Sequence, residues 1–191
     1  MSLQPISQIR LVSRSASIRQ VERDALLAAR GEANILIVGE RGPVKAALAR
    51  FIHNQSDRSE YGFASLRCDR LTDELIRSAL FGLVDACVSP EKPGLLTPES
   101  RGTVFLDEVG SLGAATQSRL LRHIDTNVVD RPSSIVNRSV RLIASTALNL
   151  RAQVDAGMFL PELYDRISAV TLVVPPPDER RDDIRELQIS A

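Results

Sequence analysis

Cysteine is scarce: Cys68 and Cys87 are the only two in 191 residues. Their spacing matches no metal-ligand motif, and a disulfide is not expected in a reducing compartment. Cys68 reads as a small buried hydrophobe and Cys87 as an ordinary loop residue. An excess of charge is missing too, since 24 basic residues face 24 acidic ones. No bulk electrostatic signal therefore points to nucleic acid or a membrane surface. No apolar run approaches about 18 residues, which excludes a spanning helix. No signal peptide is visible, which points to the cytoplasm and away from any membrane. Internal repeats and low-complexity tracts are absent. The two histidines, His53 and His123, stand in or beside helical patterns without acid or nucleophile partners, and read as structural. What remains is a chain long enough for one domain, with 43% hydrophobic residues to build its core.

The apolar pattern alternates between short runs and helical periods. Ser17 to Arg30 reads as a helix closed by Gly31, and Ile35 to Val38 as a strand. Val44 to Asn54 reads as a helix with Leu48, Phe51 and Ile52 on one face. A strand follows from Phe63 to Cys68. The next helix, Thr72 to Phe81, has Thr72 as its cap and Leu75, Ala79 and Leu80 inward. Leu83 to Pro98 is rich in Pro, Gly and small residues and reads as a loop. Thr103 to Leu106 is a third strand, Ala115 to Thr126 a helix with Leu120, Leu121 and Ile124 inward, Val140 to Ser145 a fourth strand, and Ala169 to Val174 a fifth. Three prolines stop it, and Arg180 to Leu187 opens another helix. Such alternation predicts an α/β fold with a mostly parallel five-stranded sheet covered on both faces. The first 16 residues are a lead-in, beginning with Met1-Ser2-Leu3 of the kind a cloning scar leaves. Residues 17–191 form the core.

Two stretches carry chemistry. The first is Ile35 to Lys45, where a buried strand meets Gly39, a polar turn, and a lysine opening a helix. This is the outline of a P-loop, in which backbone N–H groups and a helix N-terminus cradle phosphate. Gly39 and Lys45 keep the outer spacing of the motif. Val44 stands where the second glycine belongs and Ala46 where a hydroxyl belongs. Val44 is expected to resist a positive φ there, and Pro43 removes one N–H donor. The candidate nucleotide contacts are Gly39, Glu40, Arg41, Gly42, Pro43, Val44, Lys45 and Ala46, with Lys45 on the β- and γ-phosphates. The second stretch is Gly102 to Glu108. An apolar strand delivers Asp107 and Glu108 at its C-terminal end, where α/β sheets bind ligands. Asp107 is the candidate Mg²⁺ carboxylate and Glu108 the candidate base that polarises water.

Together with Ala79 to Gly82, Gln117 to Arg122, Arg141 to Thr146, Gly157 to Phe159, Leu163-Tyr164 and Glu179 to Leu187, these stretches resemble the AAA+ central domain of NtrC-type, sigma-54-dependent transcription activators. The resemblance runs from about Ser13 to the end. It implies a three-layer AAA+ P-loop core, ATP or ADP with Mg²⁺ as cofactor, and self-association into a dimer or ring. It also implies action on RNA polymerase, which is indirect here, and DNA contact only through a helix-turn-helix beyond this region. A helical lid follows this core in the family. The chain stops at Ala191, where that lid is expected to begin, so the expectation is a core without it.

The departures from the family pattern are specific. Gly-Glu-Ser-Gly-Thr-Gly-Lys-Glu of the family is here Gly39-Glu-Arg-Gly-Pro-Val-Lys-Ala46. The asparagine that restrains the catalytic glutamate is replaced by Arg67. The asparagine that senses γ-phosphate is replaced by Ala147. Of the two arginines given to a neighbour's site, the first is Leu160, and Arg166 survives as the candidate catalytic finger. The tip that grips sigma-54, Gly-Ala-Phe-Thr-Gly-Ala, has no counterpart between Gly82 and Gly94. Bland roles stand beside the functional ones: Asp107 as a charge held by Lys45 and Thr146, Glu108 quenched by Arg67, Arg166 as a surface ion pair. The expected function is a regulator's central domain with degenerate ATPase motifs, acting as an oligomerisation and nucleotide- or ligand-sensing module. The alternatives are a slow but genuine activator ATPase and a scaffold that binds no nucleotide.

Overall fold

The computed structural model describes residues 16–82, 94–97, 101–129 and 140–176. The expected lead-in, most of the Leu83 to Pro98 loop, Cys87 and the last expected helix lie outside the described residues.

Five strands form one parallel sheet: β1 (Ile35–Val38), β2 (Phe63–Arg67), β3 (Thr103–Asp107), β4 (Arg141–Thr146) and β5 (Val170–Val173). Their spatial order is β2-β3-β4-β1-β5, with every described pairing parallel. The helices are α1 (Ala16–Ala29), α2 (Pro43–Asn54), α3 (Asp73–Phe81), α4 (Ala114–Val129), α5 (Leu150–Asp155) and α6 (Pro161–Ile167). Parallel strands need crossovers, and these helices provide them.

Side-chain alternation along the strands divides the core in two. Ile35, Ile37, Phe105 and Ile143 point to one face and pack with Ala25 and Ala29 of α1 and Leu48 and Ile52 of α2. Leu36, Val104, Leu106, Leu142 and Ala144 point to the other and pack with Ile76 and Leu80 of α3, Leu120 of α4 and Leu163 of α6. A strand buried on both faces reads as a continuous apolar run, as Ile35–Val38 does. Burying one such Leu or Ile contributes about 1.5–3 kcal/mol. The buried guanidinium of Arg141 ties β4 to α1. It donates to the carbonyls of Ala28 and Ala29 at 2.6 and 3.3 Å, the last turn of α1, where a cation also favours the helix dipole.

Several expectations need correction. Leu75 is 55% exposed and Ile76 faces the core in its place, while Leu80 is buried as expected. Ile76 and Leu80 lie four apart on one side of α3, and Leu75 lies five from Leu80, on the other side. Thr72 does cap the helix, accepting from the Leu75 N–H at 3.4 Å. The second strand ends at Arg67, and Cys68 begins a short 3-10 turn. The helices α5 and α6 were missed because each is short, 6 and 7 residues, below the length at which periodicity separates helix from loop. His53 is structural, with Nδ1 2.9 Å from the Thr103 hydroxyl. Burial, with Arg50 nearby, holds its pKa below the usual histidine value.

Candidate functional site

The C-terminal ends of β1, β3 and β4 lie side by side, and β2 flanks β3. The loop after β1 leads into α2 through Gly39, Glu40, Arg41 and Gly42. Gly39 is required by close packing: a Cβ there would meet the Val174 Cβ at 2.8 Å. Gly42 is the N-cap in extended backbone and Pro43 stands at the helix start. Proline suits that position, since an N–H there has no intrahelical partner. The N–H groups of Val44 and Lys45 open the helix without intrahelical partners. They are the donors that α2 offers an anion. The concern over Val44 does not hold. It lies in the first turn of α2, and Glu108 is the only described non-glycine with positive φ. Its side chain packs at the edge of the core instead.

Lys45 is 2% exposed. Its ammonium donates to the carbonyls of Gly39 and Glu40 at 3.1 and 2.8 Å, and lies 3.0 Å from Glu108 Oε1. The other oxygen, Glu108 Oε2, accepts the Ala147 N–H at 2.9 Å. Each carboxylate oxygen thus has one partner, and Glu108 is itself 3% exposed. Its backbone is left-handed, with φ 60° and ψ 53°, a conformation that costs a glutamate of order ~1 kcal/mol. A tight ion pair and a backbone donor hold it there.

Asp107 has different partners. Its Oδ1 accepts from the Ser145 hydroxyl at 2.5 Å, and its Oδ2 lies 3.7 Å from Arg67 Nε. Arg67 also donates to Asp69 Oδ1 at 3.2 Å, and Arg41 of the loop reaches Asp69 Oδ2 at 3.7 Å. Burial alone would raise the Asp69 pKa, but Arg67, Arg41 and Arg70 outweigh it and bring the carboxyl below its usual range. Arg67 is held above the ordinary arginine value by its hydrogen bond and charge interaction with Asp69, helped by Asp107 and Glu108. Between these carboxylates, burial first and their charge second push the Cys68 thiol up to about 12. Cys68 is therefore inert.

The pairings differ from those expected. Asp107 is held by Ser145 and Arg67, not by Lys45 and Thr146. Glu108 is held by Lys45, not by Arg67. The reason is register. Arg67 pairs with Asp107 across β2 and β3, and Leu106 with Ala144 across β3 and β4. Arg67 and Ser145 therefore flank Asp107, while the turn after Asp107 carries Glu108 toward α2. Arg166 lies on α6, with Nε 2.8 Å from Asp125 Oδ1 and both side chains partly exposed. It forms a surface ion pair to α4 and does not join Lys45, Asp107 and Glu108. Leu160 caps α6, its N–H donating to the Gln117 side chain at 2.9 Å. Ser145, Asp69 and the Ala147 backbone were not singled out as site groups; Ser145 was legible as the β4 residue alongside Asp107.

A Mg²⁺ ion, which the family pattern implies at Asp107, does not fit this donor set. One oxygen accepts from Ser145 and the other faces a guanidinium. Among the described residues no group of three His, Cys, Asp or Glu side chains is placed to hold a metal ion.

A parallel sheet with a glycine loop after β1, a buried lysine opening α2 and paired carboxylates ending β3 defines a P-loop NTPase core of the AAA+ class. The profile of the Sigma-54 interaction domain matches residues 11–173, and the chain belongs to that family, the central domain of sigma-54 transcriptional activators. Curated relatives include the transcriptional regulatory protein ZraR of Escherichia coli K12, 38% identical over 93% of this chain and 42% of that protein. The response regulator PilR of Pseudomonas aeruginosa is 37% identical over 92% of this chain and 40% of its own length. Crystal structures of NtrX from Brucella abortus with ADP and with ATP match with TM-scores of 0.78 and 0.81, both 32% identical and covering 94% of this chain and 41% and 40% of theirs. The chain thus spans less than half the length of these relatives. No described helix is long and apolar enough to cross a membrane.

Proposed function

We propose that this chain is a nucleotide-sensing and self-association module of a bacterial transcription regulator, one that binds ATP or ADP without turning it over. The observation that carries the reading is the clasp of Lys45 and Glu108. It keeps Lys45 at the mouth of α2 and, together with the Ala147 N–H, engages both oxygens of the candidate base. A base must contact the water it activates, and at Glu108 that water competes with Lys45 on one oxygen and the Ala147 N–H on the other. Binding needs the α2 N–H donors, and Lys45 joins them by exchanging the Gly39 and Glu40 carbonyls for phosphate oxygens. NtrX, at 32% identity, was crystallised with both ADP and ATP, which supports nucleotide as the ligand class. Action on RNA polymerase, in this reading, is indirect and passes through assembly with other domains.

The test is light scattering during a titration with ADP or ATP. A rise in mean mass that saturates with bound nucleotide is the expected result. A mass that stays constant while nucleotide binds would remove the sensing role.

A further inference from the structure

We propose that Arg67 takes the place of a divalent cation, so that the site binds nucleoside di- and triphosphates as metal-free anions. This rests on the nucleotide-binding reading above and specifies the form of its ligand. Arg67 and Asp107 are register partners at the ends of adjacent parallel strands. The guanidinium stands 3.7 Å from Asp107 Oδ2, on the oxygen that Ser145 does not use. A Mg²⁺ ion there would have to share a carboxylate oxygen with a positive charge that always remains ionised.

The positive charge at this end of the site comes from side chains instead. Arg41 on the phosphate loop and Arg67 on β2 share one carboxylate, Asp69, which engages Arg41 through Oδ2 and Arg67 through Oδ1. Asp69 holds two like charges near each other at the open end of the site. Both guanidinium side chains are half or more exposed, 64% for Arg41 and 50% for Arg67, so each has room to turn to an incoming anion. Guanidinium groups bind phosphate oxygens in pairs. With Lys45 they give three cations against Asp69, Asp107 and Glu108, and the site is neutral before ligand arrives. A polyphosphate then meets guanidinium donors where the family pattern supplies a hydrated metal.

The test is calorimetric titration of ADP and ATP in EDTA and in excess Mg²⁺, for the native chain, Arg67→Asn and Arg67→Lys. The native affinity is expected to agree within about twofold between the two buffers. Loss of one charge-assisted phosphate contact is worth roughly tenfold or more in affinity. Arg67→Asn should therefore bind about tenfold more weakly in EDTA and recover in Mg²⁺, and Arg67→Lys should retain most of the metal-free affinity. Arg67 is half-exposed, and an unchanged thermal midpoint checks that each variant is folded. Native binding that tightens tenfold or more with Mg²⁺ overturns the proposal and leaves nucleotide binding standing. So does an Arg67→Asn variant with native affinity in EDTA. Absence of binding in both buffers overturns the nucleotide reading itself, and this inference with it.

Discussion

Phosphate release from ATP is expected at the background rate for this chain, and Glu108→Gln is expected to leave that rate unchanged. Three losses combine. The candidate base has both oxygens engaged, one by Lys45 at 3.0 Å and one by the Ala147 N–H at 2.9 Å. Positioned general-base catalysis contributes about 10²–10⁴-fold when it operates. In the proposed reading, Ala147 has no side-chain amide where the family resemblance implies one at the γ-phosphate. Leu160 stands where the family resemblance implies a first arginine offered to a neighbour, and an arginine of that kind is worth about 10³–10⁵ in phosphoryl transfer. Arg166 remains, bound to Asp125 on its own chain. A steady-state assay decides the matter, and turnover that Glu108→Gln abolishes would show Glu108 to be a working base.

The second large effect is on stability. Lys45→Ala is expected to destabilise the fold by about 3–5 kcal/mol, because it leaves a buried carboxylate without its counter-charge. Lys45 and Glu108 are 2% and 3% exposed, so solvent does little to soften the loss. Two backbone carbonyls, those of Gly39 and Glu40, also lose their donor. Adding Glu108→Gln removes the stranded charge, and the double variant is expected to recover about half of the loss, the signature of direct coupling. Urea unfolding midpoints for native, single and double variants provide the comparison. A Lys45→Ala change below about 1 kcal/mol would mean that the ion pair is not a structural clasp.

Much of the architecture was legible because parallel strands covered on both faces leave continuous apolar runs, and Ile35–Val38 and Thr103 to Leu106 show them plainly. The site residues were legible by type and spacing. Their pairing was not. Which carboxylate meets which cation depends on strand register and on the left-handed turn at Glu108, and neither is written in local composition. Asp107 and Glu108 are neighbours in sequence, yet one turns toward Ser145 and Arg67 and the other toward Lys45. Val44 shows the same limit from the other side. A β-branched residue in place of glycine suggested backbone strain, but that position is helical here and carries none. Ala147 illustrates a third case: the side chain that the family pattern uses is gone, while the backbone N–H at the same place still holds Glu108.

The central claim, that this site holds nucleotide without hydrolysing it, is tested most directly by following bound nucleotide over time. The chain is mixed with one equivalent of ATP, freed of unbound ligand, and its bound fraction resolved by chromatography at intervals over many hours. The account predicts close to one equivalent of nucleotide that remains ATP throughout, with the same time course in Glu108→Gln. Bound ADP accumulating in the native chain and not in Glu108→Gln would contradict it, as would a protein that emerges with no nucleotide at all.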